Sequence, residues 1–305
     1  LDNIIEVILE ADANASPAQV GYETIQVSSL HSDRRCENGD IIDDSMGLLK
    51  VTDDEGKLKA LLVNYSMHAT VIGADEFILS ADATGALERG VEERLPEYAP
   101  VLYFQSWAGD MSPRIPTEHF TEEGNEPREE YRELAAIGKE AADRIIPALS
   151  EIETAPDLEL NIKTIRFPMN NQLVNPDGRF DRYPNGGVYC YPLNDENCPD
   201  EEGEQRIYTA DDLLCLITVP EADGITWGQI AAVQLGNLGM ISLPGEPLTS
   251  VGIELRDRAL ELTGLEQMWV LGYTQGYLGY LLHADDYFLG GYEGAGGIWG
   301  PGLGE

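Results

Sequence analysis

Basic residues are scarce in this chain of 305 residues. Five lysines and fourteen arginines face 55 acidic side chains, for a net charge of −36. A surface of that sign repels phosphate backbones and anionic lipid headgroups, which excludes a nucleic-acid partner. Abundant acid with so little lysine points to a secreted or periplasmic setting, or to one of high salt. Long apolar runs are also missing: none reaches the ~18 residues of a membrane span, so no transmembrane helix is expected. Histidine occurs four times, at His31, His68, His119 and His283, and cysteine four times, at Cys36, Cys190, Cys198 and Cys215. No CxxC pair is among them, so a cysteine-built structural zinc site is not expected. Cys190 and Cys198 bracket a polar loop and could close a short disulfide in an oxidising compartment, or stand as free thiols. The DxDxDG spacing of a calcium loop is absent, which leaves calcium with only the general acidity of the loops in its favour. The chain opens LDNIIEVILE without a methionine, so its start is expected to have been cut or processed.

What is present suits a folded α/β protein. The chain is 43% hydrophobic, long enough for one large domain or two small ones with a sizeable core. Three segments carry helical periodicity. Residues 82–95 place Leu87, Val91 and Leu95 at four-residue spacing, with Asp82 positioned to cap the start. Residues 128–153 align Leu134, Ile137, Ala141, Ile145, Leu149 and Ile152. Residues 247–262 align Val251, Leu255 and Leu262. Apolar runs of strand length lie at 24–28, 47–51, 60–67, 101–105, 158–167, 229–235, 239–243 and 268–271. Several are apolar throughout, as strands covered on both faces are. Alternation of such strands with helices predicts mixed β-sheets flanked by helices. Residues 168–212, rich in Asn, Asp, Gly and Pro, read as a surface lid or insertion. Asn14-Ala15-Ser16 forms a glycosylation sequon.

Four strand ends carry polar residues that core packing does not require. The run LLVNYSMHAT ends in His68, and VLYFQSWAGDMSPR exits into Gly109, Asp110, Ser112 and Pro113. MISLPGEPLTS sets Glu246 between a strand and a helix, and GYTQGYLGYLLHADDYFLGGYEG is crowded with Gly and Tyr. Ligands of open α/β sheets bind in crevices at strand ends, which makes these segments site candidates. Each also has a structural role open to it. A histidine after a strand can be a hydrogen-bonded support, and Glu246 at a helix start is favoured by the dipole alone. Ser112 before a proline suits a turn, and Tyr277 and Tyr280 suit a core with a wet hydroxyl.

Taken together, the blocks NYSMHAT, SADATGALE, WAGDMSP, LPGEPLTSVG and GYLGYLLHADDYFLGGYEG resemble the neutral/alkaline (non-lysosomal) ceramidase family, and among its members an uncharacterised bacterial-type branch. The resemblance runs from about residue 20 to 305 and is strongest at 50–85, 101–114, 232–255 and 272–294. It implies one ceramidase-type catalytic domain over residues 1–305, an α/β fold lacking its N-terminal segment, with the insertion at 168–212. It also implies a single zinc ion held by His68, Glu246 and Tyr280, with Ser112 of the GDMSP motif as the catalytic serine. Either Arg34 or Arg35 matches an arginine facing the site; the doubled arginine leaves the register open. Asp82 and Asp110 are supporting positions. The family draws a further zinc-binding histidine, and an acid/base histidine, from a THTHSGP-like segment that has no counterpart here. A missing segment or a second chain is therefore expected to complete the site.

The implied chemistry is hydrolysis of an amide by zinc-activated water. Ser112 would act as hydrogen-bond donor or nucleophile, and an arginine would steady the oxyanion. The expected substrate is a small amide or a lipid-like one, and the polar 168–212 segment leans toward the more polar. The alternative is a non-catalytic extracellular surface or assembly protein that keeps the fold.

Overall fold

Two pairs of parallel strands, each joined through a helix, organise the molecule. In chain order the elements begin α1 (Asp2–Ala13), β1 (Gln19–Gln26), β2 (His31–Asp33), β3 (Ser45–Thr52), β4 (Leu58–Tyr65), α2 (Asp82–Glu92), β5 (Val101–Gln105), β6 (Met111–Pro113) and α3 (Glu129–Leu149). They continue as β7 (Leu160–Pro168), β8 (Gly187–Tyr191), β9 (Leu214–Thr218), β10 (Trp227–Leu235), β11 (Leu238–Ser242), β12 (Glu246–Pro247), α4 (Thr249–Thr263), β13 (Gln267–Leu271), β14 (Tyr280–Leu281), α5 (Ala284–Leu289) and α6 (Gly291–Ala295). The structure, a computed structural model, describes residues 2–35, 41–73, 76, 78–116, 129–169, 187–191, 198, 214–218 and 227–304.

One sheet has the order β1-β3-β4-β5 and the other β13-β11-β10-β7. β4 pairs parallel with β5 across α2, and β11 parallel with β13 across α4; the remaining pairs within these two sheets are antiparallel. The mixed sheets flanked by helices are those the sequence predicts. Three two-stranded ladders, β2-β6, β12-β14 and β8-β9, complete the described strands.

Apolar periodicity explains the layering. Leu87 and Val91 of α2 and Ile137, Ala141 and Ile145 of α3 pack on Leu48, Leu61, Val63 and Tyr65 of the first sheet in the main core. The two helices touch through glycines: a Cβ on Gly90 would lie 2.2 Å from the Gly138 carbonyl oxygen. On the other face, Leu49, Leu238 and Trp269 join the two sheets. A Cβ on Gly47 would sit 2.4 Å from the Trp269 ring, so only glycine lets the indole lie there. Asn64 ties the sheets with one amide, donating to the carbonyls of Phe104 and Val270 at 3.1 Å each. Because buried amides need partners, this residue fixes the relative placement of the layers.

The helices differ at their edges from the sequence expectation. Residues 82–95 are helical to Glu92, residues 128–153 from Glu129 to Leu149, and residues 247–262 from Thr249 to Thr263. Asp82 does not cap α2. Ala81 holds the N-cap position without a side-chain bond, while Asp82 is the first helical residue with φ +50°. Its carboxylate accepts from the amides of Val71 (3.0 Å), Ile72 (2.8 Å) and Ala83 (2.6 Å), pinning the preceding loop to the helix. Most of the 168–212 excursion lies outside the described residues. α1 was not foreseen; its Ile4, Ile5, Val7, Ile8 and Leu9 are all exposed. No helix among the described residues is long and apolar enough to cross a membrane.

Candidate functional site

The carboxyl ends of both parallel pairs open onto one place. β4 leads through buried Ser66 and Met67 to His68, whose amide donates to the Met111 carbonyl at 2.9 Å. β11 leads to Glu246, which opens β12 and stands opposite Tyr280 of β14 in a parallel ladder. The Glu246 amide donates to the Gly279 carbonyl at 2.9 Å. That approach needs Gly245, where a Cβ would lie 2.5 Å from the same oxygen. The amide of Gly109, beyond β5, donates to the Pro247 carbonyl at 2.9 Å and stitches the two pairs together.

His68 and Glu246 meet: Nε2 lies 3.2 Å from Oε2. The other ring nitrogen, Nδ1, donates to the Met111 carbonyl at 3.2 Å, since a carbonyl can only accept. A neutral His68 therefore presents the bare lone pair of Nε2 to a carboxylate, and the contact calls for a proton or a cation between them. Two phenols complete the cluster. Tyr273 donates to Glu246 Oε2 at 2.9 Å and lies 3.4 Å from His68 Nε2; Tyr277 donates to Glu246 Oε1. Burial acts to raise the Glu246 pKa, but hydrogen bonds from His68, Tyr277 and Tyr273 outweigh it and bring the carboxyl down to about 2. Glu246 is thus ionised at any ordinary pH. The phenols of Tyr273, Tyr277 and Tyr280 are pushed up by burial and by the Glu246 charge, and they stay protonated.

The structure resolves the doubled arginine. Short pairing of β2 with β6 sets Asp33 opposite Met111, and the Arg34 amide donates to the Asp110 carbonyl at 2.9 Å. The Arg34 side chain lines the cavity. Its Nε donates to Glu293 at 2.7 Å, and its Nη2 to the Gly109 carbonyl at 2.9 Å and the Tyr280 hydroxyl at 3.0 Å. Burial opposes the Arg34 charge, yet Glu293 and Tyr280 more than offset it. Arg35 turns away to the Asp286 side chain and the Asp286 and Gly290 carbonyls, which anchors the start of α5 and the end of its turn. The cavity, of about 660 Å³, is lined by Arg34, His68, Thr70, Glu246, Tyr280 and Tyr292, with Gly291 and Glu293.

The other candidate residues lie around this centre. Asp110 is buried, and its carboxylate accepts from the Thr249 amide (3.0 and 3.1 Å) and hydroxyl (2.8 Å) at the start of α4. Burial raises its pKa to about 7 against the pull of Thr249. Ser112, opposite Ser32 in β6, follows the Met111 carbonyl that holds His68 but does not line the cavity. Cys198 is disulfide-bonded; the side chain of Cys190, in β8 opposite Cys215, lies outside the described ones. Sequence reasoning gave no role to Tyr273 or Glu293. Tyr273 belongs to the run crowded with Gly and Tyr, and Glu293 to the GYEG at its end. Neither carried a signal of its partner. Among the described residues no group of three or more His, Cys, Asp or Glu side chains is placed to hold a metal ion.

An α/β protein with a His–Glu–Tyr cluster at the carboxyl ends of two parallel strand pairs has clear structural counterparts. The neutral ceramidase of Pseudomonas aeruginosa superposes with a TM-score of 0.74 at 19% identity, over 99% of this chain and 52% of the other. A ceramidase complexed with C2 superposes with a TM-score of 0.73 at 18% identity, over 99% and 54%. In sequence, the neutral ceramidase of Mycobacterium tuberculosis (strain H37Rv) is 33% identical over 73 residues, which are 23% of this chain and 12% of that protein. No protein-family model matches. The fold is that of the neutral ceramidases, and the chain spans about half the length of the solved structures it resembles.

Proposed function

We propose that this chain carries the site of a zinc-dependent hydrolase of linear amides, ceramidase-like in its chemistry. The observation that carries the reading is the meeting of His68 Nε2 with Glu246 Oε2 at 3.2 Å beside a cavity, with Nδ1 tied back to a backbone carbonyl. Metal-binding histidines are held in this way, by a bond from the second ring nitrogen that fixes tautomer and orientation. The donor set fits zinc: an imidazole nitrogen, a carboxylate and phenols. His68 and Glu246 would hold the ion, with a tyrosine as third donor (Tyr280 by the resemblance) and a further histidine from another segment or chain. When bound, zinc supplies Lewis acidity, polarising an amide carbonyl and making water more acidic.

The chain's own residues do the rest. Arg34, fixed by Glu293 and the Gly109 carbonyl, presents its charge to the cavity and offsets negative charge growing on a carbonyl oxygen. The Tyr280 hydroxyl oxygen accepts from Arg34 Nη2 at 3.0 Å, which ties it to the same charge. The Tyr292 ring, 5.7 Å beneath the Arg34 guanidinium, forms a wall on which an acyl chain can lie. Ser112 is assigned a hydrogen-bonding rather than a nucleophilic part. The substrate is a small or lipid-like amide, and the acid-rich surface suits secretion or the periplasm.

The test is metal analysis of the isolated protein together with hydrolysis of a short-chain fluorogenic N-acyl amide, before and after chelation. The expected result is bound zinc and chelator-sensitive turnover, both lost in His68→Ala. Metal content unchanged by His68→Ala, with no amide or ester hydrolysed, would refute the reading. It would favour a non-catalytic surface protein that keeps the fold.

A further inference from the structure

Of the Arg34–Arg35 pair, Arg34 lines the cavity, whereas Arg35 is buried and does not. Arg35 instead grips three successive points of one stretch of chain. Its Nη1 donates to Asp286 Oδ1 at 2.8 Å, and its Nη2 to the Asp286 carbonyl at 2.8 Å and the Gly290 carbonyl at 3.1 Å. Its Nε stands 3.7 Å from Glu293 Oε2. The other oxygen of that buried carboxylate, Oε1, accepts from Arg34 Nε at 2.7 Å. One carboxylate thus lies between the two guanidinium groups.

We infer that Arg35 is a positioning residue: acting through Glu293, it sets the aim of the Arg34 guanidinium in the cavity. The inference rests on the amide-hydrolase reading above, in which Arg34 offsets charge on a carbonyl oxygen.

The chain between the grip points explains why a second arginine is needed. Glu293 sits on α6, a helix of five residues, and a helix that short is not stable by itself. It is joined to α5 through Gly290 and Gly291, at φ +87° and +77°, left-handed positions that glycine adopts freely and that no side chain stiffens. Arg35 takes hold on both sides of this joint, at Asp286 and Gly290 before it and at Glu293 after it. Its own place is fixed in turn: the Arg35 amide donates to Asp33 Oδ1 at 2.8 Å, and Ser250 of α4 donates to Asp286 Oδ2 at 2.7 Å. Arg35→Lys keeps the charge but lacks the planar fork that meets a carboxylate and two carbonyls at once. With the joint freed, Glu293 no longer holds the Arg34 Nε–H in one place.

The experiment follows Arg34 directly, by nuclear magnetic resonance of arginine Nε–H groups in the isotopically labelled 305-residue protein. The Arg34 signal is the one missing from Arg34→Lys. It should be sharp in the wild type, and broadened or lost in both Arg35→Lys and Glu293→Gln. Arg94→Lys, at an exposed pair with Asp143, should leave it as it is. Turnover of a short-chain fluorogenic N-acyl amide by zinc-loaded protein supplies a second reading. Arg35→Lys should lower kcat about tenfold or more, with KM and bound zinc little altered. Adding Glu293→Gln to it should slow the enzyme no further than the slower single variant, because the two residues act in series. An Arg34 signal as sharp in Arg35→Lys as in the wild type would overturn the inference. So would a double variant whose losses multiply, since Arg35 would then support the fold alone. If Arg35→Lys loses its near-ultraviolet dichroism, Asp286→Asn decides: a broadened Arg34 signal supports the inference, and a sharp one refutes it. A wild type that hydrolyses no amide brings down the hydrolase reading itself, while the Arg34 signal still decides whether Arg35 positions it.

Discussion

Replacing Asp110 by asparagine should remove a loss of stability that the protein suffers as the pH rises toward neutrality. Asp110 is 5% exposed, and its carboxylate accepts from the amide and hydroxyl of Thr249. Burial lifts its pKa from 3.8 to about 7. Between about pH 4 and pH 7 the folded protein thus holds a proton that the unfolded chain has released. For a carboxyl raised in this way, the stabilisation present below the unfolded value is lost as pH climbs through that window, and nothing changes above it. The displacement is worth on the order of 4 kcal/mol, an upper figure because buried sites relax and admit water. The other acidic side chains titrate as well, so the informative quantity is the difference between wild type and Asp110→Asn. Urea unfolding at pH 4.5, 5.5, 6.5, 7.5 and 8.5 supplies it. The wild type should lose ground to the variant steadily up to about pH 7 and hold a constant gap beyond. A difference flat from pH 4.5 to 8.5 would show that Thr249 and the α4 terminus keep Asp110 ionised, and the argument from burial would fail.

Two further expectations concern the frame that carries the site. Gly90→Ala should destabilise the protein by about 1–3 kcal/mol, because the new methyl meets the Gly138 backbone at 2.2 Å and drives α2 from α3; a thermal midpoint equal to the wild type's would show that the helices part without cost. Asn64→Leu, close in volume, should cost about 1–3 kcal/mol in urea unfolding, since it leaves the Phe104 and Val270 carbonyls without that donor between the sheets. An unchanged unfolding midpoint would mean that water or a shifted backbone takes its place.

The readable parts of the site are those that depend on local pattern. His68 and Glu246 stand where apolar strands leave the sheet, and the periodicity of 60–67 and 239–243 is enough to say so. The Arg34–Arg35 pair was legible as a pair, but its register was not. Which guanidinium enters the cavity depends on the pairing of β2 with β6 and on Glu293 and Asp286, some 250 residues away. Asp82 shows a subtler failure. An acidic residue before a helical run reads as a cap, yet Asp82 is itself the first residue of α2, with a φ of +50°, and its carboxylate holds the preceding loop. Tyr273 was out of reach for the same reason. Nothing in the string GYTQGY distinguishes a core aromatic from one held in a left-handed conformation over a histidine and a glutamate.

Composition and periodicity by themselves determined the class of molecule: an acidic α/β protein without a membrane-spanning run, with polar residues at the ends of its strands. These features follow from short-range physics, in which each residue's polarity and spacing act on near neighbours. The tertiary structure alone decided which of those polar residues meet. Two parallel pairs must close on one another before His68 comes within 3.2 Å of Glu246, and three amides must clamp a strained backbone before Tyr273 joins them. Contacts between residues about 180 to 260 positions apart depend on how whole sheets pack, and packing is a property of the assembled layers that no local stretch of sequence carries.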